Sequence, residues 1–245
     1  MFGKRDVAAL VAEFLGTGIL TLLILSVQRS TIGVPFFVAA AAGLTVVLLM
    51  LVFGEASGGQ FNPALTIGAW TVRKISTIKA ILYVAVQLLG AWAAYYLYTY
   101  FVNSKLQPIG GHYSTRILVA EAAGAVILGF AWAAATYRRF LTGLAAAAVG
   151  LGLMLGIIAA STAAIGIVNP AVALGVKAWV WGTYVLGPII GAVIGINLYA
   201  YLFGDANPKA TFAGVTSLAS GGATTTTAAS TKKPAAKKKP ASKKK

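Results

Sequence analysis

The sequence predicts an all-α membrane protein, with six transmembrane helices and two re-entrant half-helices arranged as an inverted repeat. Three observations carry that prediction. Hydrophobic residues make up 58% of the chain and charged residues 10%, with a mean hydropathy of +0.82, whereas a soluble domain carries about 25% charged residues. Six apolar stretches each come close to the ~20 residues that cross ~30 Å of hydrocarbon as a helix. Two Asn-Pro-Ala triplets and two Ala-Glu-x-x-Gly segments recur at almost the same separation.

The first apolar stretch, residues 7–27, has no small-residue cleavage site after a short core and reads as a retained helix rather than a signal peptide. The second covers 36–53 and the third 78–102. Between them, residues 56–70 form a segment too short to cross, apolar after Asn62-Pro63-Ala64. The fourth and fifth stretches cover 117–137 and 141–163; a second short segment, 166–179, holds Asn169-Pro170-Ala171; the sixth stretch covers 180–203. Backbone groups in lipid must be paired internally, so the long stretches read as helices. A half-length apolar helix reads as re-entrant. Asn is a favoured N-cap and Pro a favoured first helical residue, so each triplet starts a helix. Glycine recurs at small-xxx-small spacing, in Gly152 with Gly156 and in Gly187, Gly191 and Gly195, where it lets helices approach closely.

Glu121 lies 108 residues after Glu13, and Asn169 lies 107 after Asn62. The membrane region spans about 1–205, with repeat halves at about 7–103 and 114–204, each holding three spans and one Asn-Pro-Ala segment. Three is odd, so the second half enters the membrane upside down relative to the first. The two half-helix N-termini then enter from opposite faces and meet mid-membrane, where unpaired backbone donors, positive dipole ends and the Asn amides point at one spot. Such a centre suits a neutral oxygen and repels cations and protons. A lone Asn-Pro-Ala is only a turn or a helix start; it is the paired placement that points to a pore.

Basic residues set the orientation. Lys4, Arg5, Arg73, Lys74, Lys79, Arg138 and Arg139 fall on one side if six spans alternate, against Arg29, Lys105 and Arg116 on the other. Both termini are therefore expected in the cytoplasm, for a multi-pass protein of the cell membrane. Of the twenty Lys and Arg residues, eight are lysines in the last fourteen positions, which inflates the formal net charge of +15.

The chain has no cysteine, a single histidine (His112) and five acidic residues. That inventory excludes disulfides and thiolate chemistry. It is also too thin for a hydrolase triad or a carboxylate metal centre, so neither enzymatic activity nor a metal or cofactor is expected. Residues 206–245, rich in Thr and Ala and then in Lys, Pro and Ala, are too polar to bury a core and read as a disordered tail. Its lysines fit an anionic inner leaflet at about 1 kcal/mol each.

With these features assembled, the sequence resembles the aquaporin and glycerol-facilitator family. The resemblance runs from Val7 to Phe203 and includes Ala12-Glu13-Phe14-Leu15-Gly16-Thr17, Ser57-Gly58-Gly59-Gln60-Phe61-Asn62-Pro63-Ala64-Leu65-Thr66, Gln87-Leu88-Leu89-Gly90-Ala91 and Gly187-Pro188-Ile189-Ile190-Gly191-Ala192. It implies a right-handed six-helix bundle with two half-helices, usually a homotetramer with one pore per subunit. By the same resemblance, Asn62, Pro63, Ala64, Asn169, Pro170 and Ala171 form the pore centre, and Glu13 and Glu121 accept hydrogen bonds from the re-entrant loops.

The resemblance also marks a departure. Most relatives place an Arg directly after the second Asn-Pro-Ala, at the narrowest part of the pore; here that position is Val172. Counting from the two asparagines puts the other constriction positions at Ala42, Ile157 and Gly166, where water-selective relatives carry an aromatic and a His at the first two. The expected filter is wide, apolar and uncharged. Width admits glycerol, urea or ammonia as well as water, while an apolar collar can dewet and conduct little. The leading expectation is a passive channel for water and small uncharged solutes such as glycerol. A urea or ammonia channel with poor water flux, a non-conducting structural protein of the same fold, and a proton-coupled transporter stay open beside it.

Overall fold

The computed structural model describes residues 3–163 and 165–204. Ala164 and the expected tail at 206–245 lie outside the described residues. Among the described residues eight α-helices follow in order: α1 Lys4–Gln28, α2 Pro35–Ser57, α3 Pro63–Thr71, α4 Thr77–Val102, α5 Thr115–Tyr137, α6 Thr142–Ala160, α7 Pro170–Gly175 and α8 Leu186–Phe203. A π-turn at Trp181–Val185 leads into α8. No strand is present among the described residues.

Six of these elements are long and apolar enough to cross a membrane, the last counted as Trp181–Phe203. Large apolar side chains cover their outer faces, among them Leu44, Ile81, Tyr100 and Leu144. A helix apolar on all sides is solvated by lipid or by other helices, not by water. The inward faces carry small residues. A methyl group added at Gly156 would lie 2.5 Å from the Gly124 carbonyl oxygen, and one at Gly195 would lie 2.6 Å from that of Val126. These glycines therefore set how closely α5 packs against α6 and α8.

The packing repeats. α1 pairs with α4 in the first half as α5 pairs with α8 in the second, and α2 meets α6 across the junction. The half-helices are exchanged: α3 packs on α8 and α7 on α4. Each half thus completes the other.

Both half-helices start as the sequence predicts, and α7 stops earlier than its apolar segment does. The α3 helix ends at Thr71 and α7, only six residues long, ends at Gly175. Each is closed by one left-handed residue, Arg73 (φ 57°) or Lys177 (φ 65°). The following N–H then reaches back to the helix, Lys74 to the Ala69 carbonyl and Ala178 to that of Ala173, both at 2.9 Å. This is the Schellman closure, here without glycine. The fifth span also ends sooner than 163, at Ala160, where the Ser161 hydroxyl donates to the Ile157 carbonyl at 2.7 Å.

One end of the bundle, its basic face, gathers Arg73, Lys74, Lys79, Arg138 and Arg139, where α3 and α5 end and α4 begins. Lys74 there lies over the Tyr137 ring, 4.4 Å from its centroid. At the opposite end, the Arg29 guanidinium donates to the carbonyls of Gln107 (3.2 Å) and Val176 (3.4 Å), tying the long loop before α5 to the end of α7. His112 lies exposed on that loop.

Candidate functional site

Two short loops enter the bundle from opposite ends and present Asn62 and Asn169 at its middle. Each loop makes the same turns at matching positions: Gly59 (φ 64°) corresponds to Gly166 (φ 62°), and Phe61 (φ 48°) to Val168 (φ 58°). A β-branched residue rarely adopts this left-handed conformation, and such residues cost about 1–3 kcal/mol each unless their surroundings hold them.

Two buried carboxyls do so. Glu13 accepts from the Gln60 and Phe61 N–H groups at 3.0 and 2.7 Å. Glu121 accepts from Ile167 and Val168 at 2.8 and 2.6 Å. Both are fully buried. A buried N–H left without an acceptor costs about 1–3 kcal/mol, so meeting two of them in each loop offsets the backbone cost. The two supports differ in one respect. Glu13 also accepts from the Gln87 side chain at 2.7 Å, and Gln87 donates to Thr66, whose hydroxyl donates to the Gln60 side-chain oxygen at 2.6 Å.

Held this way, the asparagines close on each other's loop. The Asn62 amide donates to the Val168 carbonyl at 3.0 Å, and the Asn169 amide donates to the Phe61 carbonyl at 2.9 Å. Their side-chain oxygens are used as N-caps, accepting from Ala64 at 2.9 Å and from Ala171 and Val172 at 3.0 and 3.4 Å. Pro63 and Pro170 occupy the first helical position, where no N–H is needed. Each amide has two N–H donors, so one remains on each side after the cross-bond. Both asparagines line a cavity of about 10 Å³, otherwise walled largely by Leu20, Val46, Leu65, Leu128, Val149 and Leu153. That is room for about one water molecule.

Comparison with known proteins agrees with this architecture. The family model described as major intrinsic protein matches residues 4–199. The chain belongs to the major intrinsic protein family. It is 31% identical to aquaporin Z of Photorhabdus laumondii, over 80% of this chain and 97% of that protein. It is also 31% identical to human aquaporin-4, over 80% of this chain and 67% of that one. The fold matches the X-ray structure of the aquaglyceroporin from Plasmodium falciparum with a TM-score of 0.67, at 22% identity, covering 80% of this chain and 96% of that one. This family member is thus a multi-pass membrane protein.

The four residues that the family resemblance places at a constriction are all buried: Ala42 on α2, Ile157 on α6, Gly166 in the second loop and Val172 on α7. Gly166 lies against the end of α6, where a methyl group would come 2.6 Å from the Ile157 carbonyl. Val172 stands three residues after Asn169, its N–H on the Asn169 side-chain oxygen. Sequence reasoning missed Gln87, the reciprocal Asn-to-carbonyl bonds and the aliphatic wall around the asparagines. Gln87 did carry a signal, a polar residue in an apolar span. The cross-bonds carried none, because each joins residues 106 or 108 positions apart.

Proposed function

We propose that this family member is a passive transmembrane channel for water and small uncharged solutes such as glycerol, with one path through each subunit. The observation that carries the reading is the pair of asparagine amides, locked face to face in a one-water cavity with aliphatic walls. A passing oxygen meets the free N–H donors of both asparagines there, so a neutral molecule is accommodated, while the positive ends of two half-helices disfavour a cation. Membership in a family with aquaporins among its relatives supports the same reading. Stopped-flow light scattering on proteoliposomes tests it. Water equilibration is expected to exceed that of empty vesicles, with glycerol entry above background; rates equal to empty vesicles for both defeat the proposal.

On this reading the channel sits in the cell membrane as a homotetramer, with the basic face toward the cytoplasm. The positive-inside rule supports that orientation. The chain lacks cysteine, so a single introduced thiol reports topology cleanly. Ser104→Cys, at the end of α4 away from the basic face, is expected to react with an impermeant maleimide on intact cells. Gly143→Cys, at the start of α6 where added side-chain atoms meet no neighbour within 4 Å, is expected to react only after permeabilisation. The reverse pattern inverts the assignment.

A further inference from the structure

We infer that solute size is set on the basic-face side of the asparagine pair, by a ring of Met50, Leu65 and Val149 closing over Gly59. This rests on the channel reading and moves its narrowest point away from Ala42, Ile157, Gly166 and Val172.

The repeat supplies the argument. An offset of 107 residues, the separation of the two asparagines, maps Ala42 onto Val149, Met50 onto Ile157, Gly59 onto Gly166 and Leu65 onto Val172. The local geometry follows the mapping. A methyl group at Gly59 would sit 2.9 Å from Met50 Cγ, just as one at Gly166 would sit 2.6 Å from the Ile157 carbonyl. Each glycine therefore faces the residue its mirror position predicts. The path thus has two rings, one on each side of the asparagines, built from corresponding positions.

The rings differ in bulk. Val149 carries two more carbons than Ala42, and Leu65 one more than Val172; Met50 and Ile157 have the same number of side-chain heavy atoms. The basic-face ring is therefore the fuller one. The cavities agree with that. Leu65 and Val149 wall the one-water space beside the asparagines. Beyond them a cavity of about 250 Å³ widens on the basic-face side, lined by Met50, Val149, Glu55, Trp132, Thr136 and Phe140 among others. Val149 borders both spaces, so the narrowing happens across its side chain. A hydroxylated solute crossing this ring must fit through it and also leave water behind without replacement hydrogen bonds.

A reciprocal exchange tests the ring. Val149→Ala makes the position a copy of Ala42, and is expected to raise glycerol permeability relative to water about tenfold, the discrimination that a methyl or two gives in an apolar site. Adding Ala42→Val to that variant rebuilds the narrow ring on the opposite side, and is expected to return the ratio toward the wild-type value. Met50→Ala widens the same ring from another helix and serves if Val149→Ala fails to reconstitute. If the wild type carries water but neither Val149→Ala nor Met50→Ala raises the glycerol ratio, the ring proposal falls and the channel reading stands. If wild type and variants all match empty vesicles, the channel reading itself has failed.

Discussion

Glu121→Ala is expected to abolish water flux and to lower the thermal stability of the purified protein. The substitution leaves two buried N–H donors, of Ile167 and Val168, without the carboxyl they now reach at 2.8 and 2.6 Å. A buried donor left unmade costs about 1–3 kcal/mol, so the pair amounts to about 2–6 kcal/mol on that basis. Val168 also loses the contact that holds its φ of 58°, and its carbonyl is the acceptor for Asn62. The damage therefore reaches the opposite loop. Glu121→Gln keeps one acceptor oxygen and sets an NH₂ against the other N–H, so its effect should fall between wild type and alanine. At the mirror position the loss should be smaller. Gln87 already lies 2.7 Å from Glu13, and its amide oxygen can turn toward the Gln60 and Phe61 donors if the carboxyl is removed. Melting curves in detergent, paired with proteoliposome flux, measure both effects. A Glu121→Ala protein with wild-type melting and wild-type flux removes the carboxyl from any supporting role.

What the residues disclosed in one dimension, and what they did not, follows from the range of each interaction. Asn62-Pro63-Ala64 and Asn169-Pro170-Ala171 declare helix starts because N-capping is local: the side-chain oxygen bonds an N–H only two residues on. Glu13 and Glu121 stand out because a carboxyl in an apolar helix requires a partner. The length of α7 was not legible, since Val172 to Trp179 is apolar but for Lys177, and the helix is stopped after Gly175 by that residue's left-handed backbone, which no composition rule marks as a terminator. The π-turn at Trp181–Val185 was hidden for a similar reason, lying inside a run that reads as one continuous span. The aliphatic wall was hidden by its ordinariness. Leu20, Val46, Leu128 and Leu153 come from four different helices, and nothing in their chemistry separates a pore-facing leucine from a lipid-facing one. The repeat offset makes that separation possible, because it turns one known position into two.

Asn169→Asp is expected to convert a cation-tight protein into one that leaks monovalent cations. The substitution is nearly isosteric, and the retained oxygen still caps α7 through Ala171 and Val172. The other atom changes from a donor to an acceptor. It then lies where the amide nitrogen was, 2.9 Å from the Phe61 carbonyl oxygen, so the clamp is replaced by repulsion and only the Asn62 bond to Val168 still joins the loops. A negative charge also enters a space whose walls are largely aliphatic and into which each asparagine turned an N–H donor. In such a low-dielectric site a fixed charge acts strongly on a passing ion. Asn169→Ala separates the two causes. It forfeits the cap, about 1 kcal/mol, and the cross-bond, about another 1 kcal/mol, yet adds no charge, so it should lose stability without gaining cation conductance. Planar-bilayer recording of sodium and potassium currents for the two variants reads the difference. If Asn169→Asp stays silent while still passing water, the donors of the asparagine pair are not what excludes cations, and the barrier must lie in the aliphatic walls instead.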